Sequence, residues 1–192
     1  MHAMCATYGV GVEVVLASGS PRRADLLAAR GIALLIDPAD IDESLMVDEN
    51  HLDYVRRMSV SKHAVVAARH GNSTVVAADT IVELDGVVHG QPVDAGHARR
   101  TLETLSGATH RVHTAVTVGT AGGRRTTVVT SGVTFGDLSP GLVDWYLATG
   151  EWRGKAGAYA VQGLGVALVA SVRGSLSNVV GLPVAETLAL LG

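Results

Sequence analysis

The stretch "LASGSPRRADLLAARG", residues 16–31, leaves an apolar strand, passes two serines and a glycine, and enters a helix with Arg22 and Arg23 in its first turn. Ser20 stands at the N-cap position, Pro21 at the first helical position and Gly31 at the stop. Two adjacent cations at a helix N-terminus oppose the macrodipole. Two readings fit. The first is a capped surface helix with two solvated arginines. The second is a local anion site, in which the small residues Ser18, Gly19 and Ser20 bring backbone amides close to a phosphate while the two guanidiniums supply bidentate donors.

Either way the unit is strand, tight loop, helix, and the rest of the chain extends that pattern. An apolar run over residues 10–17 predicts the strand. Apolar residues at helical spacing over 52–70, ended by Gly71, predict a second helix. "STVVAADTIVELDGVVHG" (73–90) predicts a strand ending at Asp79 and Thr80, then a hairpin turn at Asp85 and Gly86. Asp94 is placed to cap a helix to about residue 106. "HRVHTAVTVGTAGGRRTTVVTSGVTF" (110–135) reads as a long antiparallel hairpin with its loop over 119–125. Ser139 and Pro140 open a helix closed by Gly150, "LGVALVASV" (164–172) predicts another strand, and Pro183 opens the last helix. The sum is a mixed α/β sheet with helices packed on it, in one domain over 1–192, with residues 1–10 a loose extension.

Composition narrows the function classes. The chain is 47% apolar but 4% aromatic, so its core is built from Val, Ala and Leu. A formal charge of -3 gives no global basic field, which argues against nucleic acid or an anionic membrane as partner and makes any anion site local. The single Cys5 excludes an intrachain disulfide and a Cys-rich metal site, and no signal peptide or membrane span is convincing, so a cytoplasmic setting is expected.

The chemistry-bearing residues are few. Asp79 follows the apolar run 75–78, where open α/β sheets bind ligands. Glu43, in "DIDES", is a second acid outside regular structure. Two carboxylates facing a phosphate imply a bridging divalent cation, and one of them could take a proton from water; the alternative is a turn-capping Asp79 and a solvated Glu43. The basic residues are 13 Arg and only two Lys, Lys62 on the second helix and Lys155 in "RGKAGAYAVQG". Gly150, Gly154 and Lys155 lack the spacing and hydroxyl of a P-loop, and "SVSK" (59–62) lacks the companion motifs of an acylating serine. The eight histidines give no zinc spacing: His110 and His113 fall on opposite faces of a strand, and His63 and His70 are read as solvated or core-edge.

Taken together, "LASGSPRRADLLA", "DES", "VSKHAVVAA", "VAADTIVELDG", "GQPVD", "LSGATHRVHTAV", "GKAGAYAVQGLG" and "SNVVGLPVAET" resemble, in order and spacing, the Maf family of nucleoside triphosphate pyrophosphatases, over nearly the whole chain. The resemblance implies an elongated mixed sheet with flanking helices, two lobes around a nucleotide cleft as in the inosine-triphosphatase group, and a homodimer. It implies hydrolysis of the α–β phosphoanhydride bond to a nucleoside monophosphate and pyrophosphate. By motif, Asp79 would be the general base, Glu43 and Asp79 would hold Mg²⁺ or Mn²⁺, and Ser18, Arg23, Lys62 and Lys155 would grip the phosphates. The positions that separate the family's branches by base read Arg22, Thr80 and Gln162, resembling the branch acting on dTTP and UTP. One departure is Gln91, where relatives carry a lysine. Two other readings stay open: a nucleotide-sensing regulator of cell division that hydrolyses little, and a pyrophosphatase of non-standard purine triphosphates.

Overall fold

The computed structural model describes residues 13–192. The expected extension over 1–10, and the first residues of the opening strand, lie outside the described residues. Within them run β1 (Glu13–Leu16), α1 (Pro21–Ala28), β2 (Ala33–Ile36), α2 (His51–His70), β3 (Val75–Leu84), β4 (Val87–His89), α3 (Ala95–Leu105), β5 (Thr109–Thr120) and β6 (Gly123–Phe135). Then follow α4 (Pro140–Thr149), β7 (Val169–Arg173), α5 (Leu176–Val180) and α6 (Val184–Leu191).

The seven strands form one open sheet in the order β2-β1-β3-β5-β6-β7, with β4 paired to β3. β1 is parallel to both neighbours; β3, β5, β6 and β7 are antiparallel in succession. Strand alternation assigns the two faces. Val75, Ala77, Asp79 and Ile81 point toward α2, where Val66, Ala67 and Val55 cover them, while Val76, Ala78 and Val82 point into the opposite layer with Leu27, Leu102 and Leu105. Each large aliphatic side chain fully withdrawn there contributes about 1.5–3 kcal/mol.

The helix boundaries follow their caps. Asn50 Oδ1 accepts from the amides of Leu52 and Asp53, Asp94 Oδ1 from His97, and Ser139 Oγ from Leu142. Gly150 closes α4 in the left-handed conformation.

Four expectations change. Ser20 occupies the N-cap of α1, but its hydroxyl caps nothing; instead the Ser20 amide donates to Ser18 Oγ at 3.2 Å. The 110–135 hairpin turns more tightly than a loop over 119–125 requires, since Thr120 pairs with Gly123. Residues 164–168 form a 3-10 turn rather than a strand, because the Glu151 carboxylate captures the amides of Leu164 and Gly165. Asp79 is not at a strand end: β3 continues to Leu84, because β5 pairs with it from Val75 to Glu83. What does end there is the neighbour on the other side. β1 pairs with β3 only as far as Leu16 opposite Val76, and the last bond across the seam runs from the Ala17 amide to the Val76 carbonyl. Beyond Val76, β3 lacks β1 as a partner, and the sheet opens into a cleft.

Candidate active site

The cleft begins where β1 stops. Its cavity of about 670 Å³ falls within the roughly 300–1,000 Å³ typical of small-ligand sites. Ser18, Arg22, Arg23, Glu43, Lys62, Asp79, Thr80, Lys155 and Gln162 all line it, as does Gln91. Four cations and two carboxylates therefore face one cavity in a chain whose net charge is -3.

The adjacent arginines have a structural explanation as well as a chemical one. Arg22 Nε donates to the Val180 carbonyl at 3.3 Å, and Arg23 Nε to the Gly181 carbonyl at 2.8 Å. Two cations on the first turn of α1 thus meet the carbonyl end of α5, which offsets the unfavourable dipole of their own helix. Arg23 is further fixed by Nη1 on Ser18 Oγ and Nη2 on Thr80 Oγ1, each 3.1 Å. Burial lowers the Arg23 pKa from its ordinary value, and Asp79 opposes that effect.

The carbonyl end of α5 is itself pinned. Buried Asn178 donates to the Val112 carbonyl and to Ser131 Oγ, both at 3.0 Å, and its own carbonyl accepts from Thr114 Oγ1. Gly181 turns the chain at φ 124°, a conformation open essentially to glycine, with Arg23 Nε and Thr80 Oγ1 each 3.7 Å from where a Cβ would stand.

The acidic wall comes from β3, α2 and the loop between β2 and α2. Lys62 Nζ lies 2.7 Å from Asp79 Oδ1 and 2.7 Å from Glu43 Oε1. Asp79 and Lys62 are buried, whereas the Glu43 side chain is half exposed. Among the described residues, Lys62 is the one side chain that hydrogen-bonds the Asp79 carboxylate. The Glu43 loop is tied to α2, with Tyr54 Oη donating to the Glu43 carbonyl at 2.9 Å and Arg57 Nη2 to the Ser44 carbonyl at 2.9 Å. Burial, with the Asp79 and Glu43 charges adding to it, raises the Tyr54 pKa to about 12, so its hydroxyl stays protonated.

On the far wall, Lys155 donates to the Arg153 carbonyl at 3.2 Å, and burial lowers its pKa, with Arg22 adding to the effect. The loop carrying it passes close to the sheet at Gly157, where φ is 68° and a Cβ would stand 2.9 Å from Val82 Cγ2. Sequence reasoning missed Tyr54 and the Val180 and Gly181 carbonyls. Tyr54 could have been found, because it lies two helical turns before Lys62 on the same face of α2. The carbonyls carry no side-chain signal.

Residues 13–192 match the family model described as Maf-like protein, and the chain belongs to that family. Among curated relatives, a protein of Anaeromyxobacter dehalogenans (strain 2CP-1 / ATCC BAA-258) is 51% identical over 183 residues, covering 93% of this chain and 92% of its own length. One of Myxococcus xanthus (strain DK1622) is 50% identical over 180 residues, covering 93% and 90%. Both are named dTTP/UTP pyrophosphatase. The solved structure of the Staphylococcus aureus Ham1 protein overlaps 65% of this chain and 72% of its own, at a TM-score of 0.48 and 14% identity. No helix among the described residues is long and apolar enough to cross a membrane.

Proposed function

We propose that this chain is a nucleoside triphosphate pyrophosphatase that hydrolyses dTTP and UTP to the nucleoside monophosphate and pyrophosphate. The observation that carries the reading is the convergence of Arg22, Arg23, Lys62, Lys155, Glu43 and Asp79 on one cavity. The names of the relatives at about half identity support the substrate.

The residues fit a hard divalent cation, Mg²⁺ or Mn²⁺. An oxygen of Glu43 and one of Asp79 already converge on a single cationic point, the Lys62 ammonium, and paired carboxylate oxygens are the donor type such ions take. Glu43 and Asp79 would hold the ion, which when bound neutralises charge on the α-phosphoryl group. Asp79 orients a water molecule and takes its proton as the oxygen adds to the α-phosphorus and the α–β anhydride bond breaks. Arg23 and Lys62 stabilise the departing pyrophosphate, while Ser18, Arg22 and Lys155 hold the phosphate chain, so catalysis is mostly positioning and charge stabilisation.

Thr80, held between Arg23 and Thr114, and Gln162, on the outer rim, take the pyrimidine-selecting role with Arg22. An amide at Gln162 can both donate to and accept from the base edge. The reading also carries a cytoplasmic setting, one domain per chain and a homodimer, the last of which light scattering tests. Its central experiment incubates the chain with each common triphosphate and several modified ones, non-standard purines included, with Mg²⁺ or Mn²⁺. Release of pyrophosphate with the monophosphate from dTTP and UTP supports it. Preference for non-standard purine triphosphates, or UTP binding with no pyrophosphate released, overturns it.

A further inference from the structure

On the face of the sheet that α2 covers, three residues meet that no local spacing connects. They are His51 at the first position of α2, Glu83 on β3 and His113 on β5. Each offers one donor atom, and the three atoms lie within 4.8 Å of one another. His113 Nε2 stands 3.7 Å from Glu83 Oε2, and the His51 and His113 rings are 5.3 Å apart, centre to centre.

The arrangement leaves one buried nitrogen without a partner. His113 is 97% withdrawn from solvent, given its 3% exposure. Its Nδ1 is paired with the Thr130 hydroxyl at 2.8 Å, so Nε2 is the atom turned toward Glu83 and His51, and among the described residues Nε2 has no hydrogen-bond partner. An orphaned imidazole nitrogen in a core is costly unless something engages it. A hydrogen-bonded second nitrogen is also how proteins orient a metal-binding histidine. Glu83 is equally buried, with Oε1 accepting from the Gly86 amide and Oε2, the oxygen facing the histidines, accepting from Arg111 Nη1 at 3.3 Å.

We propose that His51, Glu83 and His113 form a binding site for a first-row transition-metal ion such as Zn²⁺, separate from the Glu43–Asp79 pair. Two imidazoles and a carboxylate suit a borderline-soft ion rather than Mg²⁺. Donors sharing one tetrahedral Zn²⁺ at about 2.0–2.1 Å stand about 3.3 Å apart, close to the 3.7 Å found for two of them. The third comes from His51, a partly exposed residue free to adjust. Arg111 Nη1, 3.3 Å from Glu83 Oε2, opposes a cation there, but its side chain is largely exposed and can swing into solvent. Glu83 lies four residues beyond Asp79 on β3, about 13 Å at roughly 3.3 Å per residue, too far to share one ion. The ion would fasten the start of α2, and with it the loop carrying Glu43, to the centre of the sheet.

The test uses the full chain without an affinity tag, titrated with Zn²⁺ by calorimetry in millimolar Mg²⁺ and with Co²⁺ by visible absorption. Expected are about one Zn²⁺ per chain, a histidine-ligated Co²⁺ spectrum, and a rise in melting temperature on adding Zn²⁺. His51→Ala weakens binding by about tenfold or more and abolishes that rise, Glu83→Gln does the same, and Glu43→Gln leaves both intact. The proposal is overturned if the unaltered chain fails to bind Zn²⁺, if both the His51 and Glu83 variants bind it as the parent does, or if Glu43→Gln removes binding. Because nothing in this readout involves triphosphate hydrolysis, its failure and that of the proposed activity are distinguishable.

Discussion

Lys62 Nζ lies 2.7 Å from Asp79 Oδ1, and both side chains, though buried, line the cleft. A charge pair in that position is expensive to break, because the survivor keeps its desolvation cost. The same ammonium also contacts Glu43 on that wall, so one lysine holds two acids that would otherwise repel.

Lys62→Met therefore destabilises the chain by about 2–4 kcal/mol, toward the lower end because Glu43 is half exposed. Adding Mg²⁺ or Mn²⁺ restores more stability to this variant than to the parent, since the freed carboxylates face each other. Thermal melts with and without the metal check both statements.

Asp79→Asn lowers turnover of dTTP and UTP by about 10²–10⁴-fold, the range a positioned base supplies. Pyrophosphate release is the assay, with circular dichroism to verify folding. Turnover near that of the parent removes Asp79 from the base role.

Arg23→Lys keeps the charge but cannot reproduce a fork that donates at once to Ser18, Thr80 and the Gly181 carbonyl. We expect kcat/KM for the triphosphate to fall about tenfold or more, with a smaller change in stability. Equal kinetics for the two chains would contradict the assigned grip on phosphate.

Gly181→Ala forces a Cβ onto a residue at φ 124°, at a cost of about 1–3 kcal/mol. The strain is relieved by moving the very carbonyl that holds Arg23. KM for triphosphate should therefore rise together with the loss of stability, and steady-state kinetics beside urea melts would show whether the two move together.

Acid should weaken the fold through its buried histidines. Burial, with His89 adding to it, depresses the His110 pKa to about 4, while the unfolded residue titrates near its ordinary 6.5. Below that ordinary value the unfolded chain binds the proton and the folded chain does not, so stability present above pH 6.5 drains away as pH falls toward 4. Burial pushes His63, His89 and His113 in the same direction. The urea midpoint should fall between pH 7 and pH 5, and His110→Gln should flatten part of that slope.

How much of this was legible in advance follows from how local each signal is. The Asp94 and Ser139 caps are written in adjacent residues and form as read, while the Ser-Pro-Arg-Arg turn and the 110–135 hairpin form in place but without the Ser20 side-chain cap and with a tighter turn. β2 was not anticipated: it is four residues of an edge strand, mostly exposed, without alternation. Asp79 was misplaced on its strand because an apolar run stops there, whereas the strand persists through pairing with β5, which a single segment does not display. The 3-10 turn at 164–168 depends on Glu151, 13 and 14 residues away along the chain. The candidate site residues, which the motif order of a family rather than any single spacing names together, share one cavity. His51, Glu83 and His113 come from three separate elements, and neither reading of the histidines by interval could have joined them.

The carbonyls that brace Arg22 and Arg23 lie 158 residues further along the chain. A growing polypeptide therefore displays its two guanidiniums early and waits for almost everything else before they have a backing. The brace behind the two guanidiniums is complete only once residues 180 and 181 have been added.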